Sequence, residues 1–291
     1  MRDHLRSLKN AAWLGWQIES NWTSPLLFAI YVLIKPLCSS LLLVGMYYAA
    51  RLATNQVPEA FLPYLYISNA CYLLVGATAF GISHAVLSDR EQYRMLKYIY
   101  ISPIQLQTYL VGRGAAGAIQ AVLGALINLS IGAFFFREVR EGFLAHSTEW
   151  AYLALYLLIG FVMLIALGLI LASILLNMAR HGTFLSEGVA GAIYLLSGAV
   201  FPIAVLPVFL QWVSLTLPTT YWMEGMRRAL LGRPPEGAIM LQSKLTSWEH
   251  HDLLIMLTLS TFVLVVISQV LFRWSERRAW RLGRIEETTG V

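Results

Sequence analysis

From Trp150 to Met178 the chain carries no charged side chain, and Leu, Ile, Ala and Gly make up most of the run. Such a stretch exceeds the roughly 20 apolar residues that cross a bilayer core about 30 Å thick. Segments of this kind recur, at about 25–50, 61–87, 104–136, 150–177, 182–201 and 253–273. In hydrocarbon every backbone amide has to be satisfied within its own segment, so these runs predict helices rather than strands. The 291 residues are 58% hydrophobic and 13% charged, whereas soluble domains average about 25% charged residues. The sequence therefore reads as an all-α membrane protein, one domain over 1–291 with six transmembrane helices.

The segments between and beside the spans have their own patterns. Residues 1–24 place Leu5, Leu8, Ala12 and Trp16 near one helical face, with Arg2, Arg6 and Lys9 elsewhere and Trp13, Trp16 and Trp22 suited to headgroup depth. That pattern predicts an amphipathic helix lying on the membrane surface. Residues 201–232 are apolar at first, but Pro202, Pro207 and Pro218 divide them into pieces too short to cross. A broken hairpin of short re-entrant or interfacial helices is expected there, before the last span.

Orientation follows from the basic residues. With both termini cytoplasmic, the inner segments hold twelve Lys and Arg and the outer ones seven. This excess favours a multi-pass protein of the cell's inner (plasma) membrane with both termini inside. The net charge of +5 then reflects orientation and lipid contact, not nucleic acid. Cys38 and Cys71 both lie in apolar runs and read as small hydrophobes rather than a disulfide.

Reactive constellations are missing. No zinc-protease motif and no nucleophile elbow occurs. The run "EHHD" at 249–252 sets His250 and His251 about 100° apart on a helix, poor geometry for sharing a metal. It reads as a solvated rim before the last span. None of Lys9, Lys35, Lys97 and Lys244 follows a glycine, so no phosphate-cradling P-loop exists. Within the spans, Lys35 is read as snorkelling or marking a later helix start, with an inward-facing charge that meets an acidic partner or a headgroup as the alternative. Arg113 is read as snorkelling, and Asn128 and Asn177 as bonding between helices.

The densest knot of charge is "SDREQYRMLKYIYISP" at 88–103. Arg90, Glu91, Arg94 and Lys97 recur with helical spacing, and so do Tyr93, Leu96 and Tyr100. A short helix over 88–102 is expected, with one wet face and one tyrosine-rich face. Two uses are open to it: lying at the lipid interface, or plugging into a groove on a soluble partner.

Three patches resemble the ABC-2 type permeases, the membrane subunits of ATP-binding-cassette exporters. They are Glu91 with the following Ser102-Pro103, Gly112-Arg113 entering the third span, and "LLSGAVFPIAVLPVFLQWVSLTLPTTYWMEGMRRALLG" at 195–232. In the last patch the matching positions are Ser197, Gly198, Phe201, Pro202, Leu206, Pro207, Pro218, Tyr221, Glu224 and Arg227. At Tyr93 and Arg94 the chain departs from the family, which often carries a glycine and a small residue there.

The resemblance implies a permease that is not itself an enzyme, paired with a second copy or a paralogue. A separate ATPase subunit would bind ATP and Mg; this chain would hold no cofactor and no metal. Arg90, Glu91, Tyr93, Arg94, Leu96 and Lys97 would form the coupling helix seated in the ATPase. The outer hairpin around Pro202, Pro207, Pro218, Tyr221, Glu224 and Arg227 would cap the route. The aliphatic spans favour a lipid, lipid-linked molecule or hydrophobic drug as exported cargo. A secondary transporter or channel working without an ATPase is the alternative.

Overall fold

The chain folds as a bundle of α-helices, seen in a computed structural model that describes residues 2–20, 24–54, 57–145, 148–178, 181–233 and 243–283. Helix α1 (Arg2–Ser20) precedes α2 (Pro25–Thr54). A rod over Phe61–Gln92 follows, made of α3 (Phe61–Val75), a π turn (Gly76–Phe80), α4 (Gly81–Leu87) and a second π turn (Ser88–Gln92). Next come α5 (Leu96–Ile101), α6 (Leu106–Phe135), α7 (Arg137–Ala145) and α8 (Trp150–Asn177). The chain ends with α9 (Gly182–Leu196), a 3-10 turn (Ile203–Val205), α10 (Val208–Thr216), α11 (Pro218–Leu231) and α12 (His250–Arg281). Among the described residues there is no strand.

Among the described residues, five helices are long and apolar enough to cross a membrane: α2 from Leu26, the rod, α6, α8 and α12. In the sixth expected span, 182–201, the helix is 15 residues long and ends at Leu196, so the expected bounds are shortened. At 1.5 Å per residue it is about 22 Å long, short of the hydrocarbon core. Its end is set by Gly198, whose φ of +76° lies in the left-handed region that glycine adopts freely.

Contacts between helices fix their directions. Tyr66 reaches Asn128, while Asp89 reaches Arg113, so the rod and α6 are antiparallel. Tyr156 meets His250 near the start of α8 and α12, and Asn177 Nδ2 donates to the Ser275 carbonyl at 3.2 Å near their ends. These two helices therefore run parallel, and the segment between them has to return the chain along the bundle. Helix α9 makes that return. Gly182 lies beside Leu87, Ala190 accepts from Tyr72 at 2.6 Å, and just past its end Gly198 accepts from Tyr64 at 3.1 Å. The end of the bundle holding α5 is called basal below, and the end holding α7 distal.

Small residues set the close crossings. A Cβ on Gly112 would come within 2.6 Å of the Ala11 side chain, so α1 lies directly against the basal part of α6 rather than on lipid alone. A Cβ on Gly132 would meet the Tyr66 ring at 2.3 Å.

A polar network ties the middle together. Asn128 Nδ2 donates to Ser40 Oγ at 2.7 Å, Asn69 Nδ2 donates to the same oxygen at 2.8 Å, and Tyr194 donates to Asn69 Oδ1 at 3.2 Å. The interhelical role read for Asn128 is thus present, joined to partners on α2, the rod and α9. Replacing Asn128 by Leu removes its bonds to Ser40 and Tyr66. At roughly 0.6 kcal/mol per such bond in membranes, with a maximum near 1.7, a loss of about 1–2 kcal/mol is expected. Thermal unfolding of the detergent-purified protein measures it.

The "EHHD" run is a helix start. Glu249 and Asp252 form a reciprocal capping box at the head of α12, and His250 stacks on Tyr152 at 4.5 Å. The side chain of Lys35 and the residues Trp22, Arg180 and Arg284 lie outside the described set.

Candidate functional site

Two clusters of buried charge stand at opposite ends of the bundle. The basal one begins where α4 winds into the π turn Ser88–Gln92. This wider turn carries Asp89 and Arg90 inward, 0% and 3% exposed. The Asp89 carboxylate accepts a hydrogen bond from the Tyr109 hydroxyl at 2.8 Å and pairs with the Arg113 guanidinium at 3.3 Å. Arg90 donates to the Leu175 carbonyl and to Glu91, both at 3.1 Å. The cluster thereby joins the rod to α6 and α8.

Beyond it the chain turns sharply. The Tyr93 amide closes on the Ser88 carbonyl at 2.9 Å, the Met95 amide donates to the Asp89 carbonyl at 2.8 Å, and Arg94 takes a left-handed φ of +51°. For a non-glycine residue that conformation is uncommon and held by its surroundings. Helix α5 then starts with Leu96 and Ile99 buried in the basal core. It ends at Ser102, whose extended backbone is what the following Pro103 demands.

The single helix expected over 88–102 is corrected accordingly. It divides at Arg94, because the inward anchoring of Asp89 and Arg90 forces the chain to reverse before α5 can lie across the bundle's end. The residues singled out there separate into two groups. Arg90 and Leu96 are buried anchors and Glu91 is half-buried, while Tyr93, Arg94 and Lys97 are exposed. Tyr98 and Ile101, 62% and 80% exposed, share the open side with them. Their exposure is hidden in the sequence because helical phase restarts at the corner.

The reading of Arg113 as a snorkelling residue is also corrected. Its side chain is 6% exposed and turned toward Asp89, since a buried carboxylate attracts it more strongly than the interface does.

The distal cluster sits on α11. From Pro218 to Leu230 every residue of this helix is buried, although its sequence is far from uniformly apolar. Glu224 meets Arg227 at 2.8 Å and Arg228 at 2.9 Å. Arg227 also donates to Ser68 at 3.0 Å and to the Gly198 carbonyl at 2.9 Å, and lies over the Tyr64 ring at 4.2 Å. Arg228 donates to the carbonyls of Leu245 and Trp248. Burial pushes the Glu224 carboxyl up, but the guanidiniums of Arg227 and Arg228 outweigh it and hold its pKa below the ordinary value.

Glu224 and Arg227, both matched to the family in the outer hairpin, pair with each other, and Arg228 is the member the sequence analysis did not single out. Its i,i+4 spacing from Glu224 was the available signal. Tyr221 and Pro218 are buried beside them, Pro202 is buried, and Pro207 is exposed at the turn before α10.

A helical bundle with five helices, among the described residues, long and apolar enough to cross a bilayer is of the membrane-protein class. Residues 11–231 match the ABC-2 type transporter family. The chain belongs to that family and is the membrane-embedded permease of an ABC transporter, a class that works with an ATPase subunit. No curated protein matches it.

Proposed function

We propose that this permease exports an amphipathic or hydrophobic compound, a lipid, lipid-linked molecule or drug, and is driven through its exposed basal corner. The observation that carries this reading is the construction of that corner. Tyr93, Arg94, Lys97, Tyr98 and Ile101 face outward on a reversal whose root is anchored by Asp89, Arg90 and Leu96. Aromatic and basic side chains on a rigid support suit a protein groove. Force applied there reaches α6 through Arg113 and α8 through the Leu175 carbonyl.

The basal end is assigned to the cytoplasm. It exposes Arg6, Lys9, Arg94, Lys97, Arg273, Arg277 and Arg278. Distal cations are largely engaged, with Arg51 on Glu59, Arg137 on Glu141, and Arg227 and Arg228 on Glu224. The parallel run of α8 and α12 requires a return between them, which supports counting α9, though short, as a sixth crossing of the plasma membrane and puts both termini on the cytoplasmic side. ATP and Mg belong to the partner ATPase, and a second permease copy or paralogue completes the assembly. The hairpin of α10 and α11 caps the outer side. Coupling to an ion gradient is disfavoured, because the buried carboxylates Asp89 and Glu224 are both held by guanidinium groups.

The test is co-purification with the ABC ATPase expressed from the same cells. Arg94→Glu combined with Lys97→Glu is expected to weaken the complex about 30-fold, equivalent to about 2 kcal/mol at a hot spot. Stimulated ATP turnover falls with it, while thermal stability of the permease alone stays unchanged. Undiminished association and turnover in this variant would overturn the assignment of the corner.

A further inference from the structure

A cavity of about 340 Å³ lies between the end of α1, the α4 part of the rod and α6. That volume falls at the lower end of small-ligand sites, which run from about 300 to 1,000 Å³. Glu19, His84, Arg113 and Gln120 belong to its polar lining, together with Ser88, Gln92 and Tyr93. Between them the wall is Ala77, Gly81, Gly114 and Gly117, which present little but backbone. Ala77 belongs to the π turn Gly76–Phe80, and π turns inside helices often mark functional sites.

Two of the lining groups are incomplete. Arg113 Nε and Gln120 Nε2 are buried and have no hydrogen-bond partner among the described residues. Both are donors, and a buried donor left unsatisfied costs about 1–3 kcal/mol. Arg113, Gly117 and Gln120 follow i, i+4, i+7 spacing and so share one stripe of α6. The outer two stand about 10 Å apart along the axis, with the missing side chain of Gly117 between them. Arg113 lies at the basal end beside Asp89, and Gln120 lies nearer the middle of the bundle.

We infer that this cavity holds the headgroup of an inner-leaflet amphiphile bearing a phosphodiester. The phosphate oxygens accept from Arg113 and His84 at the headgroup level. Ester or amide oxygens of the linkage accept from Gln120, nearer the midplane, which is the order in which a phospholipid-like molecule presents them. Glu19, exposed at the same cavity, disfavours headgroups of higher negative charge. This rests on the reading of the protein as a handler of amphiphiles, and it names the chemical class. The shared chemistry has two sources, transported cargo and a resident membrane lipid.

The test uses the full-length permease in lipid nanodiscs doped with phosphatidylglycerol that carries a diazirine at the start of one acyl chain. Diacylglycerol with the same diazirine is the comparison. Phosphatidylglycerol is expected to label peptides of α1, α4 and α6 at least 5-fold more than diacylglycerol. Gln120→Leu and His84→Ala are each expected to lower that labelling at least 3-fold without changing the melting temperature. Equal labelling by the two probes, or labelling indifferent to both substitutions, overturns the proposal. Repeating the measurement on the complex with its ATPase separates the sources. Label chased by ATP turnover supports the site as a cargo site, and label that persists supports it as a resident-lipid site. Because the first measurement needs no ATPase, a failure of the basal-corner assignment would leave its outcome readable.

Discussion

Glu224→Ala is expected to destabilise the permease by about 3–5 kcal/mol, the range for removing one partner from a buried ion pair. The residue neutralises two guanidiniums at once, Arg227 at 2.8 Å and Arg228 at 2.9 Å, both almost wholly out of solvent. Without it, two like charges on adjacent residues remain in the interior of the distal half. The fully folded fraction after detergent extraction should fall sharply, read by thermal unfolding and by size-exclusion homogeneity. Replacing all three residues together by Leu or Met of similar volume should recover most of the loss, since apolar replacements of buried ion clusters are often neutral or better. If the triple variant is no more stable than the single one, the clustered charges hold the helix by hydrogen bonds to Gly198, Leu245 and Trp248 rather than by their mutual pairing.

Asp89→Ala should produce the second-largest effect, about 3–5 kcal/mol by the same reasoning, because it strands the guanidinium of Arg113. The diagnostic comparison is with Arg113→Leu and the double variant. A double-mutant cycle on melting free energies is expected to give a coupling of at least about 1 kcal/mol, within the range for residues in one buried network. Here function is also expected to respond. Asp89 ties the basal reversal to α6, so ATP turnover in the complex should lose its stimulation even at temperatures where the double variant stays folded. Additive single effects would show the pair to be incidental to the fold.

The long spans were legible because twenty apolar residues in a row admit few alternatives, and α8 was readable to within a residue. The return helix was not, since its apolar run continues to 201 while Gly198 ends the helix earlier. The broken hairpin was legible from Pro202, Pro207 and Pro218, yet the burial of its second arm was not. A helix carrying Glu224, Arg227 and Arg228 reads as exposed until the helices packed around it, among them α3, α8 and α12, are seen. At the basal corner, helical spacing grouped Arg90 and Leu96 with Tyr93, Arg94 and Lys97. The π turn and the left-handed Arg94 reset the phase and put the first pair inside. No local pattern announces either feature, because both follow from where Asp89 finds its cation.

The codirectional pair α8 and α12 also bears on biogenesis. Neighbours that point the same way cannot be inserted as a hairpin, so α12 reaches α8 only after α9, α10 and α11 have been made. The carbonyls that receive Arg228 belong to the chain leading into α12. A nascent permease therefore holds Arg228 by Glu224 alone until the segment leading into α12 has been made, and the carbonyls of Leu245 and Trp248 complete its coordination only then.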